Sequence, residues 1–305
     1  MKKTATILTW LIIHFIFSCC STNSKPTIQI PYPQPLPDKS PLVFLPNFVS
    51  KDGLDFNSAI SPDGNSFYFT RSKNRQWDIY VTRHDGSNWS EPMLAPFSDS
   101  KYSEADPAFS PDGRLYFISN RPKQPKDSLS DFDIWFIKPL ASGQWTEPEN
   151  FREVNSDSAE YYISFSKNGN AYFGSSRKGG FGGEDIYISR FTNGAYTEPE
   201  NLGSTVNTKE SEHDACIWPN EDFIVFKSEN QNDGYGQADL YGAKYGADNK
   251  WTKPINLGSK FNTKTYEYCP YLTPDYRYFF YSSEFEIKWV NANVVENYID
   301  SLTKE

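Results

Sequence analysis

The stretch Glu104–Arg121, EADPAFSPDGRLYFISNR, decides the fold. An acid opens it. A short apolar segment follows, then a Ser-Pro-Asp-Gly turn, an aromatic run and Ser-x-Arg. Pro presets φ at the first turn position, Asp hydrogen-bonds its own backbone, and Gly accepts a positive φ. Leu115-Tyr116-Phe117-Ile118 is β-branched and aromatic, which suits a pleated, buried surface. The stretch reads as two antiparallel strands joined by a tight turn.

The phrase recurs without gaps at Asp55–Ser72, Glu160–Arg177, Glu212–Glu229 and Glu267–Glu284. Five copies spaced about 50 residues apart indicate a propeller or another repeat array, because one such unit cannot bury its own faces. A variable loop after each copy leads to Asp-[Ile/Leu]-[Tyr/Trp] at Asp78, Asp133, Asp185 and Asp239, which reads as a third strand. An aromatic–polar–x–Pro phrase follows, Trp89-Ser90-Glu91-Pro92 in the first unit, with counterparts at Trp145, Tyr196 and Trp251. Pro is confined to sheet edges, so this phrase is expected to be the outer, fourth strand. Four antiparallel strands repeated radially make an all-β β-propeller, with five blades expected and six as the alternative.

The fifth unit lacks an outer strand. Leu42-Val43-Phe44-Leu45 is expected to supply it and close the ring, which removes the exposed sheet edges. Helical spacing of apolar residues over Asn293–Leu302 predicts a short C-terminal helix capping the ring. The propeller is therefore assigned to residues 42–305.

Residues 1–18 read as a lipoprotein signal peptide. Lys2 and Lys3 precede an apolar Ala5–Phe17 segment, too short to span a bilayer, and Ile16-Phe17-Ser18-Cys19 is similar to a lipobox. Cys19 is the expected lipid attachment residue, with Cys20 beside it as the other candidate. Residues 19–41 hold Pro26, Pro31, Pro33, Pro35, Pro37 and Pro41, and are expected to form an extended stalk.

The repeat grammar, Ser-Pro-Asp-Gly followed by an aromatic pair, Ser-x-Arg and Asp-Ile-Tyr, resembles the WD40-like repeat of TolB-type β-propellers. The resemblance covers residues 42–300. It implies a propeller and a periplasmic protein–protein role, and for TolB itself six blades, whereas five copies are visible here. Fold does not fix function, since propellers bind, scaffold and catalyse.

The formal charge is −9, without a basic run, which argues against nucleic acid and anionic lipid surfaces as partners. Contact with the membrane is expected through the lipid anchor only. The opening acids Asp55, Glu104, Glu160, Glu212 and Glu267 are the most suggestive set. They form either an axial ligand site or repeat-to-repeat clasps. Asp78, Asp133, Asp185 and Asp239 are expected to pair with Arg71, Arg121 and Arg177. Phe181 and Tyr235, flanked by Gly in loops that depart from the repeat, are candidate contacts for a sugar or peptide. His213 stands between Glu212 and Asp214 and reads as a hydrogen-bonded interior residue. Cys216 and Cys269 read as buried free thiols. No catalytic motif, cofactor or metal is indicated. The expected function is that of a lipid-anchored, non-enzymatic propeller binding a protein or glycan in the bacterial cell envelope, periplasmic or surface-facing. The alternative is a carbohydrate-active enzyme, sialidase- or glycosidase-like, that uses axial carboxylates.

Overall fold

The structure, a computed structural model, describes residues 28–46, 48–49, 54–123 and 131–303. The signal segment, Cys19 and Cys20 lie outside the described residues. Five four-stranded antiparallel sheets are present. Their inner strands are Leu54–Ile60, Glu104–Phe109, Glu160–Phe165, Glu212–Ile217 and Tyr268–Leu272. Each inner strand touches those of both neighbouring blades, and the fifth touches the first, so the ring is closed. Second strands carry the aromatic runs: Phe67, Phe69, Phe117, Phe173, Phe226 and Phe279 are all fully buried between sheets. Burying such rings against the neighbouring sheet is part of the apolar burial that drives folding.

The N-terminal strand is Leu42–Val43, and it completes blade 5 with Leu42 opposite Trp289 and Val43 opposite Lys288. Phe44 follows and works as a staple. Its ring lies 4.9 Å from Phe280 of blade 5 and 4.7 Å from Phe67 of blade 1. The expected stalk is bound to the body from Ile28 onward. Ile30 is buried in the core shared by blades 5 and 1, and Tyr32 stacks on Trp289 at 5.6 Å. The Tyr32 hydroxyl donates to Asp275 at 2.8 Å, and the Trp89 indole donates to the Pro31 carbonyl at 3.2 Å. Apolar residues placed between the prolines explain the difference, since they carry contact area that a solvated spacer lacks.

The fourth strands differ from expectation by a few residues. They are Met93–Leu94, Glu149–Asn150, Glu200–Asn201 and Ile255–Asn256, each just after the Pro. The aromatic ahead of the Pro makes only a bridge or a two-residue pairing, as in His84 with Trp89 and Phe191 with Tyr196. Pro has no N–H for the ladder, so pairing resumes beyond it. The C-terminal helix, Ala292–Leu302, is capped by the Asn291 side chain, which accepts from the Asn293 N–H at 3.0 Å. It packs against blades 4 and 5 rather than across the channel. Gly242 admits it there, because a Cβ at that position would meet Ile299 Cδ1 at 2.5 Å. Among the described residues no helix is long and apolar enough to cross a membrane.

Candidate functional site: an axial cavity built by repeated bulges

Each inner strand slips register shortly after its opening acid. The residue two positions past the acid adopts a left-handed backbone in all five blades: Asn57, Asp106, Tyr162, Asp214 and Cys269, with φ between 42° and 61°. A bulge inserts one residue and re-aims a side chain. Here the five converge on one another at the axis. The Asn57 side-chain amide donates to Asp106 at 3.1 Å, and the Cys269 N–H donates to Asp214 at 3.1 Å. The Cys269 thiol lies 3.8 Å from Asp106 and 3.7 Å from Asp214. The Tyr162 hydroxyl donates to the Pro270 carbonyl.

The opening acids are elsewhere. Asp55, Glu104, Glu160, Glu212 and Glu267 are fully buried, and none lines the axial cavity. Glu160 accepts from the Ser156 N–H at 2.9 Å, the Ser156 hydroxyl at 2.6 Å and the Ser175 hydroxyl at 2.8 Å. Thr208 and Ser228 serve Glu212 in the same way, and Thr263 and Ser283 serve Glu267. Arg71, Arg121 and Arg177 pair with Asp55, Glu104 and Glu160, not with the third-strand acids. Asp185 instead accepts from the N–H groups of Phe181 and Gly182 and from Asn201, and Asp239 accepts equivalently from Tyr235, Gly236 and Asn256. The Arg fork reaches the carboxylate of its own hairpin, and backbone turns of the following loop fill the third-strand position.

The axial cavity has a volume of about 660 Å³. Its walls are aromatic, from Phe56, Trp77, Tyr161, Tyr266, Tyr268 and Phe285. Its two basic residues, His213 and Lys227, come from one blade. The residue after each opening acid and its cross-strand partner form the pairs Phe56–Thr70, Ala105–Ile118, Tyr161–Gly174, His213–Lys227 and Tyr268–Ser282. Only blade 4 places two basic residues there. Gly174 of blade 3 makes the room, because a Cβ on it would lie 2.7 Å from His213 Cβ.

His213 Nδ1 is 2.7 Å from Asp214, and Nε2 is 3.9 Å from both Glu184 and Glu229. Lys227 Nζ donates to Glu229 at 2.8 Å and to the Tyr266 hydroxyl at 2.6 Å, and lies 4.5 Å from the Tyr266 ring centroid. The Tyr266 hydroxyl also donates to Glu229. Burial alone would lower the His213 pKa, but the adjacent Asp214 charge reverses this and raises it to about 9. Burial would raise Asp214, and the His213 cation holds it well below the usual carboxylate range. Burial, then the Asp214 charge, pushes Asp106 up to about 7. Two carboxyl groups around one thiol thus titrate over different pH ranges. Among the described residues no group of three or more His, Cys, Asp and Glu is placed to hold a metal ion.

Phe285 stands at the cavity mouth, 69% exposed, in a two-residue turn where Glu284 has φ 53° and Phe285 φ 66°. Such turns favour Asn-Gly, and a bulky residue at positive φ costs about 1–3 kcal/mol. Phe181 and Tyr235 are half-exposed in the corresponding loops of blades 3 and 4. They do not line the cavity. A Cβ on Gly182 or Gly236 would meet the Glu210 or Thr265 carbonyl at 1.7 or 2.4 Å, so the loop backbone fixes where each ring emerges.

No protein-family model matches the chain, and no curated protein matches it. Solved structures similar to it include TolB from Acinetobacter baumannii, at 13% identity over 79% of this chain and 52% of that one, with a TM-score of 0.49. A putative TolB from Agrobacterium tumefaciens is 18% identical over 76% and 73%, with a TM-score of 0.45. An α-L-arabinofuranosidase from Lactobacillus brevis is 12% identical over 81% and 92%, with a TM-score of 0.53. At these identities the likeness is one of fold. The chain spans about half the length of the Acinetobacter TolB.

Proposed function

We propose that this protein is a lipid-anchored, non-enzymatic β-propeller of the cell envelope that binds a glycan in its axial cavity. One observation carries the reading: the side chains facing the cavity are those that differ from blade to blade. Residues kept in every copy serve the fold. A ring of about sugar size can stack on Trp77 or Tyr161 while hydroxyl groups meet the His213–Asp214 and Lys227–Glu229 pairs. Cys19 is the proposed point of lipid attachment. Saturation-transfer NMR of the full chain against mono- and disaccharides tests the binding. Transfer to sugar ring protons, lost on Trp77→Ala, is the expected result. Absence of transfer from every sugar overturns it.

A second reading is that of a carbohydrate-active enzyme, and Asp106 with Asp214 favours it. Both approach the Cys269 thiol within 4 Å, which keeps them inside the upper limit of about 9.5 Å for a two-carboxylate glycoside mechanism. A neutral acid beside an ionised carboxylate is the division of labour such chemistry requires. Turnover of a glycoside panel that disappears in Asp106→Asn would establish it. The opening acids are enclosed by their own hydrogen bonds and take no part in either reading.

A further inference from the structure

We infer that the glycan held in the axial cavity carries a free amino group, so that the ligand is a cationic amino sugar. The inference rests on the glycan reading above and adds the charge of the ligand.

The cavity is short of positive charge. Asp106, Glu184, Asp214, Glu229 and Glu284 line it, against His213 and Lys227. Both cations are already engaged inside the wall. Lys227 is held by Glu229 at 2.8 Å, and His213 by Asp214 at 2.7 Å. Glu284 draws its cation from outside the cavity, Lys288 at 2.5 Å. Among the described residues, the cation nearest to Glu184 is His213 Nε2, at 3.9 Å. Asp106 is buried in the lining, and no ion pair among the described residues includes it. Its neighbours are the Asn57 amide, the Cys269 thiol, the Thr70 hydroxyl at its own N–H, and the charges of Asp214 and His213.

A buried carboxyl group without a cation is satisfied either by a proton or by a ligand that brings the charge. The rest of the lining selects between ligand types. Aromatic faces attract cations and repel anions. Lys227 is bonded to the Tyr266 hydroxyl on one wall. Trp77, Tyr161, Tyr268 and the outward-held Phe285 leave four further rings for the ligand. An acidic sugar would meet five carboxyl groups, and a neutral sugar would bring no charge to Asp106. An ammonium group drawn to Asp106 or to Glu184, both in the lining, with the sugar ring on the aromatic wall, meets both demands.

The test titrates the full chain with glucosamine, N-acetylglucosamine and glucose at pH 7.5 and low salt, by saturation-transfer NMR. The three probes share a ring and differ in the charge at one position. Glucosamine is expected to bind about ten-fold or more tightly than the other two, the margin of a hydrogen bond to a charged group. Asp106→Asn should reduce that margin to about two-fold, and Glu184→Gln, at a half-buried site, provides the second variant if the first fails to fold. Equal binding of all three sugars, or a preference for N-acetylglucosamine, overturns the inference and leaves the glycan reading standing. Selectivity unchanged in both variants overturns the assignment of the amine to these carboxylates. Binding by none of the three overturns the inference and the glycan reading together.

Discussion

The first residue of each inner-strand phrase and the residue two places later lie in the same strand but serve opposite purposes. The first is always an acid, always fully buried, and always bound by hydroxyls, amides or an Arg of its own blade. The third is Asn, Asp, Tyr, Asp and Cys in turn, always left-handed, and always turned to the axis. Invariance across blades marks the scaffold, and variation across blades marks the site. The contrast is sharpest in blade 4, where Glu212 closes a loop while His213 and Asp214 charge the cavity.

The largest effect should come from the scaffold side. Glu104→Ala strands the Arg121 guanidinium together with the Ser98 hydroxyl and the Asp99 N–H. Breaking a buried ion pair from one side costs about 3–5 kcal/mol, readable as a lower urea midpoint. On the site side, Gly174→Ala forces a methyl against His213 and should cost about 1–3 kcal/mol. It should also shift the His213 ring resonances, which Glu104→Ala should not do in the folded fraction.

Titration separates the two sets further. His213 is raised from about 6.5 unfolded to about 9 folded, so its contribution is complete below pH 6.5 and lost as pH rises through 9. Asp106 is raised from 3.8 to about 7, so its contribution is complete below pH 3.8 and lost by pH 7. Asp214 is lowered, and its contribution disappears only as pH falls below the ordinary carboxylate range. Thermal unfolding should therefore show stability declining from pH 6.5 to 9, and His213→Gln should flatten that segment. A flat wild-type profile would contradict the His213–Asp214 pairing. The smallest effect is expected at the rim. Phe285→Gly relieves a positive-φ strain and should raise stability by about 1 kcal/mol while weakening sugar binding. A stability loss would mean that the ring is part of the core.

The repeat made the blades legible, because turn chemistry and aromatic runs are local properties that survive in every copy. Ring closure was legible too, since the fifth unit lacked a strand that Leu42–Val43 provides. Three expectations differ from the structure: the extended stalk, the outer strand and the Arg pairings. The Trp-x-x-Pro phrase reads as a full strand, although Pro withholds the donor that a ladder needs. The Arg residues reach the opening acid of their own hairpin rather than the third-strand acids: Arg71 lies directly across from Asp55, and Arg121 and Arg177 reach Glu104 and Glu160 from two residues past the paired Ser119 and Ser175. The site itself was hidden because period-2 alternation places residues one and three of a strand on one face. The bulge breaks that rule, and nothing local in the five differing triplets announces a positive φ. Aligning the copies and asking which columns differ would have found His213, Asp214 and Asp106.

The central claim, that the variable axial residues and not the repeated acids hold the ligand, is tested most directly by one titration. Glucosamine is added to the wild-type chain, Trp77→Ala and Glu160→Gln, with saturation transfer read per mole of folded protein. The account predicts loss of transfer in Trp77→Ala and wild-type transfer in Glu160→Gln. Transfer retained in Trp77→Ala, or lost equally in both, would contradict it.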